Sequence, residues 1–346
     1  MFVNRTEELD FLEKAYHSKQ AEMIVIYGRR RIGKTTLIQQ FIANKRSLYY
    51  MADKQSEKDL IARFQQSLAK LLDDPLLPDL NFHKWENLFS YWLSKENFSQ
   101  KLILVFDEFQ YLVSVNSSFV SFFQRLWDEH LKHKNILIIL CGSLIHMMYS
   151  SVLSYSSPLY GRRTGQIKLE PIKFQYYHDF APNLHEIKQI EFYAITGGVP
   201  RYIEIFDFKQ SVLENIKKYI LTKTSYLYAE PKFILNEELS ETTNYFSILK
   251  TIAGGEHKIG NIAAKIGIKT NVLTKYLNVL IDLDILERQV PITEDNPAKS
   301  KLGLYFIKDH FFRFWFKYVF PNLSFLEIGE INFVLNNIKQ DFNEFV

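Results

Sequence analysis

Five apolar residues, Met23 to Tyr27, run without a break into Gly-Arg-Arg-Arg-Ile-Gly-Lys-Thr, Gly28 to Thr35, and a helical stretch over about 33–43 follows. Strand, glycine-bounded loop and helix in that order match G-x-x-x-x-G-K-[ST] in full, and few folds accept such a join. Gly28 and Gly33 let the backbone turn so that successive N–H groups point inward at one anion. The helix starting near Gly33 adds the positive end of its dipole. Lys34 is placed to reach β- and γ-phosphates, and the Thr35 hydroxyl to ligate Mg²⁺. The loop therefore predicts a site for a nucleoside triphosphate, with ATP and Mg²⁺ as the expected ligands. Arg29, Arg30 and Arg31 fill the variable positions, where at least two are expected to point outward into solvent.

The rest of the first half alternates in the same way. Strand-like runs at 48–51, 102–106, 136–141 and 167–169 are separated by amphipathic stretches at 56–72, 83–95 and 119–132. Continuous apolar strands between helices are what a parallel sheet covered on both faces requires. The fold class is α/β with three layers. With 47% apolar residues in a chain of 346, there is enough material for a sizeable core and for two or three domains. After about Pro182 the pattern changes to helices without buried strands.

A phosphate loop needs a second strand bearing a carboxylate. Leu102 to Phe106 supplies it, ending in Asp107 and Glu108. A carboxylate pair closing a buried strand is costly unless it serves a cation. Asp107 suits a Mg²⁺ ligand, and Glu108 the general base that polarises the attacking water. The strand at 136–141 ends at Ser143, which either senses the γ-phosphate or caps the next helix. Arg162 and Arg163 precede the last strand. They either reach the γ-phosphate, in cis or from a neighbouring subunit, or form a surface basic pair.

Taken in order, FVNRTEE, GRRRIGKT, LVFDEF, CGS, GRR and ITGGVPRYI resemble the archaeal-type ATPases of the STAND P-loop NTPases, relatives of the AAA+ proteins. The resemblance runs from Phe2 to about Phe320. It implies a sheet in which the 136–141 strand lies between those of 23–27 and 102–106, then a helical lid and a winged-helix domain. It also implies that the segment around Arg5 lines the adenine site, with Asn4 where relatives carry glycine. Asparagine tolerates positive φ almost as glycine does. Pro200, after Gly197-Gly198-Val199, is implied to pack near the adenine. Relatives often carry a second serine after Ser143, where this chain has Leu144. The nucleotide-binding set expected is thus Arg5, Gly28, Arg31, Ile32, Gly33, Lys34, Thr35, Thr36 and Pro200. Lys34, Glu108, Ser143 and Arg162 form the catalytic set, and Thr35 and Asp107 the metal ligands.

Expected domains are 1–182, a P-loop ATPase core; 183–240, a helical lid; 241–308, a winged helix-turn-helix; and 309–346, an aromatic-rich segment that begins a nuclease-like region. The segment is too short for a paired-carboxylate nuclease core, so no nuclease activity is expected. Within 241–308, helices at 245–252, 259–266 and 272–283 precede a hairpin of 287–292 and 303–307. The third helix has a polar face of Thr270, Asn271, Thr274, Lys275 and Asn278, suited to DNA. Asp282, Asp284, Glu287, Glu294 and Asp295 put negative charge beside it. Protein contact, self-assembly or lid duty are the alternatives. Phe311 to Tyr318 reads as core or interface packing before a nucleic-acid platform.

The formal charge of +3 neither demands nor excludes nucleic acid, since clustering decides. One cysteine cannot staple a chain, so a reducing cytoplasm is expected. The N-terminus lacks the apolar core of a signal peptide. No stretch approaches the ~20 apolar residues that span a bilayer, so no membrane partner is expected.

Overall fold

The computed structural model describes residues 2–297, 300 and 302–346. The chain divides into two compact units, Phe2–Glu170 and Pro171–Val346.

The first unit is built on five strands: β1 (Glu22–Tyr27), β2 (Ser47–Met51), β3 (Leu102–Asp107), β4 (Ile136–Gly142) and β5 (Gly165–Lys168). Their order is β2-β3-β4-β1-β5, every neighbouring pair is parallel, and β4 lies between β1 and β3. All residues of β3 and β4 are buried, which explains the unbroken apolar runs of 102–106 and 136–141. The two-residue strand period divides these side chains between two cores. Met23, Val25, Ile136, Ile138 and Leu140 enter one; Ile24, Ile26, Leu137, Ile139 and Cys141 enter the other.

The first core is covered by α3 (Glu57–Leu72), α4 (Trp85–Lys95), α5 (Gln110–Val115) and α6 (Phe119–Glu129), with α7 (Ile145–Met148) at its margin. It is largely aromatic: Phe106 stacks on Phe64 at 5.6 Å and meets Phe123 edge-on at 5.5 Å. The second core is aliphatic and is covered by α1 (Thr6–His17) and α2 (Lys34–Ile42) through Leu12, Leu37, Ile38 and Phe41. Two layers of helix thus clamp the sheet, and the carboxyl ends of β1, β3 and β4 open onto the loops that carry the polar residues.

The second unit holds α8 (Glu186–Thr196), α9 (Pro200–Ile205), α10 (Val212–Ile216) and α11 (Glu230–Glu238), then α12 (Thr243–Ala253), α13 (Ile259–Ile266) and α14 (Thr270–Asp282). Gly267, at φ 79, ends α13 in the left-handed conformation and turns the chain into α14. An antiparallel ribbon follows, β6 (Leu286–Gln289) and β7 (Leu304–Ile307). Part of the polar loop expected between its strands, at 298, 299 and 301, lies outside the described residues. The chain ends in α15 (His310–Phe314), a π-helical turn at Trp315–Val319, α16 (Leu323–Glu327) and α17 (Ile331–Phe345). Phe311, Phe312, Phe314, Trp315 and Phe316 are buried, and the Trp315 indole donates to the Tyr228 carbonyl at 2.7 Å. The aromatic stretch is core. Among the described residues no helix is long and apolar enough to cross a membrane.

Candidate functional site

The loop after β1 is pressed onto the chain leaving β5. A Cβ on Gly28 would stand 2.4 Å from the Leu169 carbonyl oxygen, and Gly28 has φ 148, so only glycine fits. Arg31 at φ 71 and Gly33 at φ 94 complete the turn, and α2 begins at Lys34. Ile32 is buried beneath Gly28, while Thr35 and Thr36 are exposed at the start of α2. The arginines correct the expectation of solvated side chains. Arg29 is only 9% exposed, and Arg30 and Arg31 are half-buried. Arg30 donates to the Tyr111 hydroxyl at 3.1 Å, so at least this one is held by the fold.

Lys34 is 6% exposed, and its Nζ donates to the carbonyls of Gly28 and Arg29, both at 2.8 Å. Burial lowers its pKa from the ordinary lysine value, opposed in part by Glu108 and Asp107. The ammonium therefore stands inside the loop it must serve. Arg5 braces the same loop from behind: one Nη2 donates to the carbonyls of Ile32 at 3.1 Å and Glu170 at 2.7 Å. Its Nη1 meets Glu8 at 3.2 Å. Asn4 sits at φ 44, the positive φ that its replacement of glycine anticipates.

Asp107 closes β3 and is 1% exposed. Its Oδ2 accepts from the Thr35 hydroxyl at 2.8 Å and the Tyr49 hydroxyl at 2.7 Å, and its Oδ1 from the Glu108 N–H at 3.0 Å. Burial first, then the Asp107 carboxylate, push the Tyr49 phenol above its ordinary value, so it remains a donor. Two hydroxyls and an amide are neutral partners, and a buried carboxylate so served suits a cation. A hydroxyl beside a carboxylate is a hard oxygen pair of the kind Mg²⁺ takes together with phosphate oxygens. The residues present fit that ion.

Glu108 adopts φ 54, a left-handed conformation uncommon outside glycine. The adjoining Phe109 N–H donates to the Cys141 carbonyl at 2.9 Å and ties the turn to β4. The Glu108 carboxylate receives the Ser143 hydroxyl at 3.0 Å and 2.7 Å on its two oxygens, and the Ser143 N–H at 3.3 Å. The Gln110 amide also donates to it. Ser143 caps no helix: the residue preceding α7 is Leu144, which makes no side-chain cap. Its hydroxyl is turned to Glu108.

The structure thus gathers Lys34, Thr35, Asp107, Glu108 and Ser143 at adjoining strand ends. Arg162 is engaged elsewhere. It pairs with Asp128 of α6 through Nη2 at 3.0 Å and Nε at 3.4 Å, and donates to the Pro158 carbonyl at 3.1 Å. Arg163 stacks over Tyr160 at 4.7 Å. Pro200 opens α9 in the second unit, after Gly197 and Gly198 at φ 58 and φ 70. Tyr49 and Gln110 belong to the site and carry no motif. The signal for Tyr49 is its alternation with Met51 on β2, which becomes legible once β2 is known to pair with β3.

A family model described as an ATPase domain predominantly from Archaea matches residues 2–206. An uncharacterised protein of Methanocaldococcus jannaschii is 40% identical over 348 residues, covering 100% of this chain and 74% of that one. Among solved structures, a Walker-type ATPase of Pyrococcus abyssi matches with a TM-score of 0.67 at 20% identity, over 91% of this chain and 96% of its own. The ORC2 protein of Aeropyrum pernix, solved in ADPNP and ADP complexes, matches with a TM-score of 0.56 at 14% identity, over 94% of each chain. At these identities the solved structures speak to the fold, a P-loop NTPase sheet with helical additions.

Proposed function

The chain belongs to the family of ATPase domains found predominantly in Archaea, and from that premise we propose that it binds ATP with Mg²⁺, hydrolyses it, and works as a nucleotide-driven conformational switch. The observation that carries this is the convergence of Lys34 and Thr35, which follow β1, with Asp107 and Glu108 at the end of β3. Lys34 exchanges the Gly28 and Arg29 carbonyls for β- and γ-phosphate oxygens, and the loop N–H groups take the remaining charge. Thr35 and Asp107 would hold Mg²⁺, which would supply positive charge to offset that of the triphosphate. Glu108 orients a water and accepts its proton as the water oxygen attacks the γ-phosphorus and the bond to the β-phosphate oxygen breaks, leaving ADP and phosphate. Ser143 holds Glu108 in place for this step. Arg162 reaches the γ-phosphate only by leaving Asp128.

Turnover of radiolabelled ATP tests the reading. Glu108→Gln is expected to slow it by about 100-fold or more while retaining nucleotide binding. Equal rates in the two proteins would remove Glu108 from the mechanism. Arg162→Ala slows turnover if that arginine takes part, and an unchanged rate confines it to the turn before β5.

Energy from the cycle would be spent on a protein partner or on self-assembly in a reducing cytoplasm. A second reading, an ATP-regulated DNA-binding protein, rests on α12–α14 and the β6–β7 ribbon taken as a winged helix. It is favoured by the exposure of Lys269, just before α14, and of Thr270, Asn271, Lys275 and Asn278 along it. A salt titration of duplex binding decides it: the absence of salt-dependent binding, with and without ATP, ends this reading.

A further inference from the structure

We propose that Gln110 is a positioning residue for Glu108: its amide locks the carboxylate in the orientation that aims it at the attacking water. The proposal rests on Glu108 being the base.

Gln110 is the first residue of α5 and is 0% exposed. A fully buried amide has two donor hydrogens and an acceptor oxygen to satisfy. Here the Nε2 donates to Glu108 Oε2, whereas Oε1 finds no partner. A side chain selected to stabilise the fold would not abandon a buried acceptor. Turning the amide over would satisfy nothing more, because it would set Oε1 against the carboxylate. The orientation is dictated by Glu108, through a charge-assisted bond made at the cost of the orphaned oxygen.

The surroundings keep this place open for the amide. A Cβ on Gly142, at the end of β4, would fall 2.5 Å from Gln110 Oε1 and 2.3 Å from Met148 Sδ, so the glycine is what admits both side chains. On the other flank Ser143 grips the same carboxylate with its hydroxyl and N–H. Glu108 reaches this position from a left-handed backbone, φ 54. A carboxylate gripped on one side by Ser143, just past β4, and on the other from α5 cannot swing about its own side-chain bonds. Such fixation is what a base needs, since a displacement of about 1 Å can cost on the order of 100-fold in rate.

The full chain is tested as a double-mutant cycle of Glu108→Gln and Gln110→Met, with Gln110→Leu as a second replacement. The readouts are kcat, KM, affinity for a fluorescent ATP analogue, and melting temperature. Gln110→Met should lower kcat by about 10- to 100-fold. KM and analogue affinity should hold, and the melting temperature should stay or rise because the orphaned oxygen is gone. In the Glu108→Gln background the same change should leave the residual rate within about 2-fold, since the two act as a unit. If Glu108→Gln is slow but Gln110→Met turns over like the wild type, this proposal alone falls. Equal losses in both backgrounds would overturn it as well, as would melting temperatures that drop in both the Met and Leu variants. A Glu108→Gln protein with wild-type turnover overturns the base assignment, and this proposal with it.

Discussion

Two buried amides, one in each unit, show how differently the halves of this chain use polar groups. Asn215 in the second unit is 0% exposed and fully satisfied. Its Nδ2 donates to the carbonyls of Asp207 and Ser211, both at 2.9 Å, and its Oδ1 accepts from the Asp207 N–H at 2.7 Å. Gln110 in the first unit is equally buried and leaves its oxygen unpaired. The same contrast extends beyond the amides. The second unit also joins polar groups in pairs such as Tyr202 with Glu230 and Tyr228 with Glu327. The first unit buries an ammonium against carbonyls and a carboxylate against neutral donors. Completed bonding is what architecture calls for, and incomplete compensation at the strand ends that gather Lys34 and Asp107 is what the proposed nucleotide site would use.

The largest effect that could break this comparison is at Lys34. On the proposed mechanism Lys34→Ala removes the ammonium that takes the phosphates, so ATP turnover should fall by about 100- to 1000-fold. The melting temperature without nucleotide should change little or rise, because a desolvated cation has been taken away. Calorimetry beside a turnover assay checks this. A protein that melts much earlier would place Lys34 among the architectural groups and undo the contrast.

Asn215→Leu is the opposite case. It strands the Asp207 N–H and takes one of two donors from the Asp207 and Ser211 carbonyls, which keep the backbone N–H groups of Gln210 and residue 215. Unfolding in urea should show a loss of about 1–3 kcal/mol. Turnover per folded molecule should be unchanged. A rate loss larger than the unfolded fraction explains would mean that the second unit's bonding is tied to catalysis.

Tyr49→Phe tests whether the neutral donors on Asp107 serve the ion. A partner behind a metal ligand is worth about 10-fold or more in metal affinity. The Mg²⁺ concentration at which the melting temperature of the ATP-analogue complex is half shifted should rise about 10-fold, and saturating Mg²⁺ should restore turnover. No change in Mg²⁺ demand would make Tyr49 a packing residue of the aliphatic core.

What could be read from the chain alone follows the same division. β1, β3 and β4 were legible because a strand buried on both faces must be apolar throughout. The loop was legible because backbone geometry restricts Gly28 and Gly33 to glycine. The place of β4 between β1 and β3 came only from resemblance, since nothing in apolar runs encodes their neighbours. The short helices α5 and α7 span too few residues to show a period. Ser143 could not be assigned because a serine at a strand end suits a γ-phosphate sensor and a helix cap equally, and its bond to Glu108 emerges only from the adjacency of β3 and β4. The arginines of the loop misled for a related reason. Charge argues for solvent, yet Arg30 finds Tyr111 about eighty positions away in sequence, a pairing that no local pattern announces.

The smallest effect concerns a second-unit group whose bonding is incomplete, and it sharpens the contrast by testing an apparent exception. His310 packs against Gly197, where an added Cβ would lie 2.9 Å from its own, and meets the Tyr193 ring edge-on at 5.1 Å. Its Nδ1 is buried without a partner. Burial lowers its pKa from the ordinary 6.5, Asp309 opposes this, and Arg313 adds to it. The folded protein therefore disfavours the imidazolium, and the unfolded chain takes up the proton more readily between the folded value and 6.5. Stability should be full above pH 6.5 and decline as the pH drops through that window toward the folded value. The loss should be smaller than that of Asn215→Leu. His310→Phe keeps the ring contact and removes the titration, so its melting temperature should lose the added decline. If wild type and variant soften in parallel, other groups set the acid limb, and the unpaired nitrogen carries no consequence for the fold.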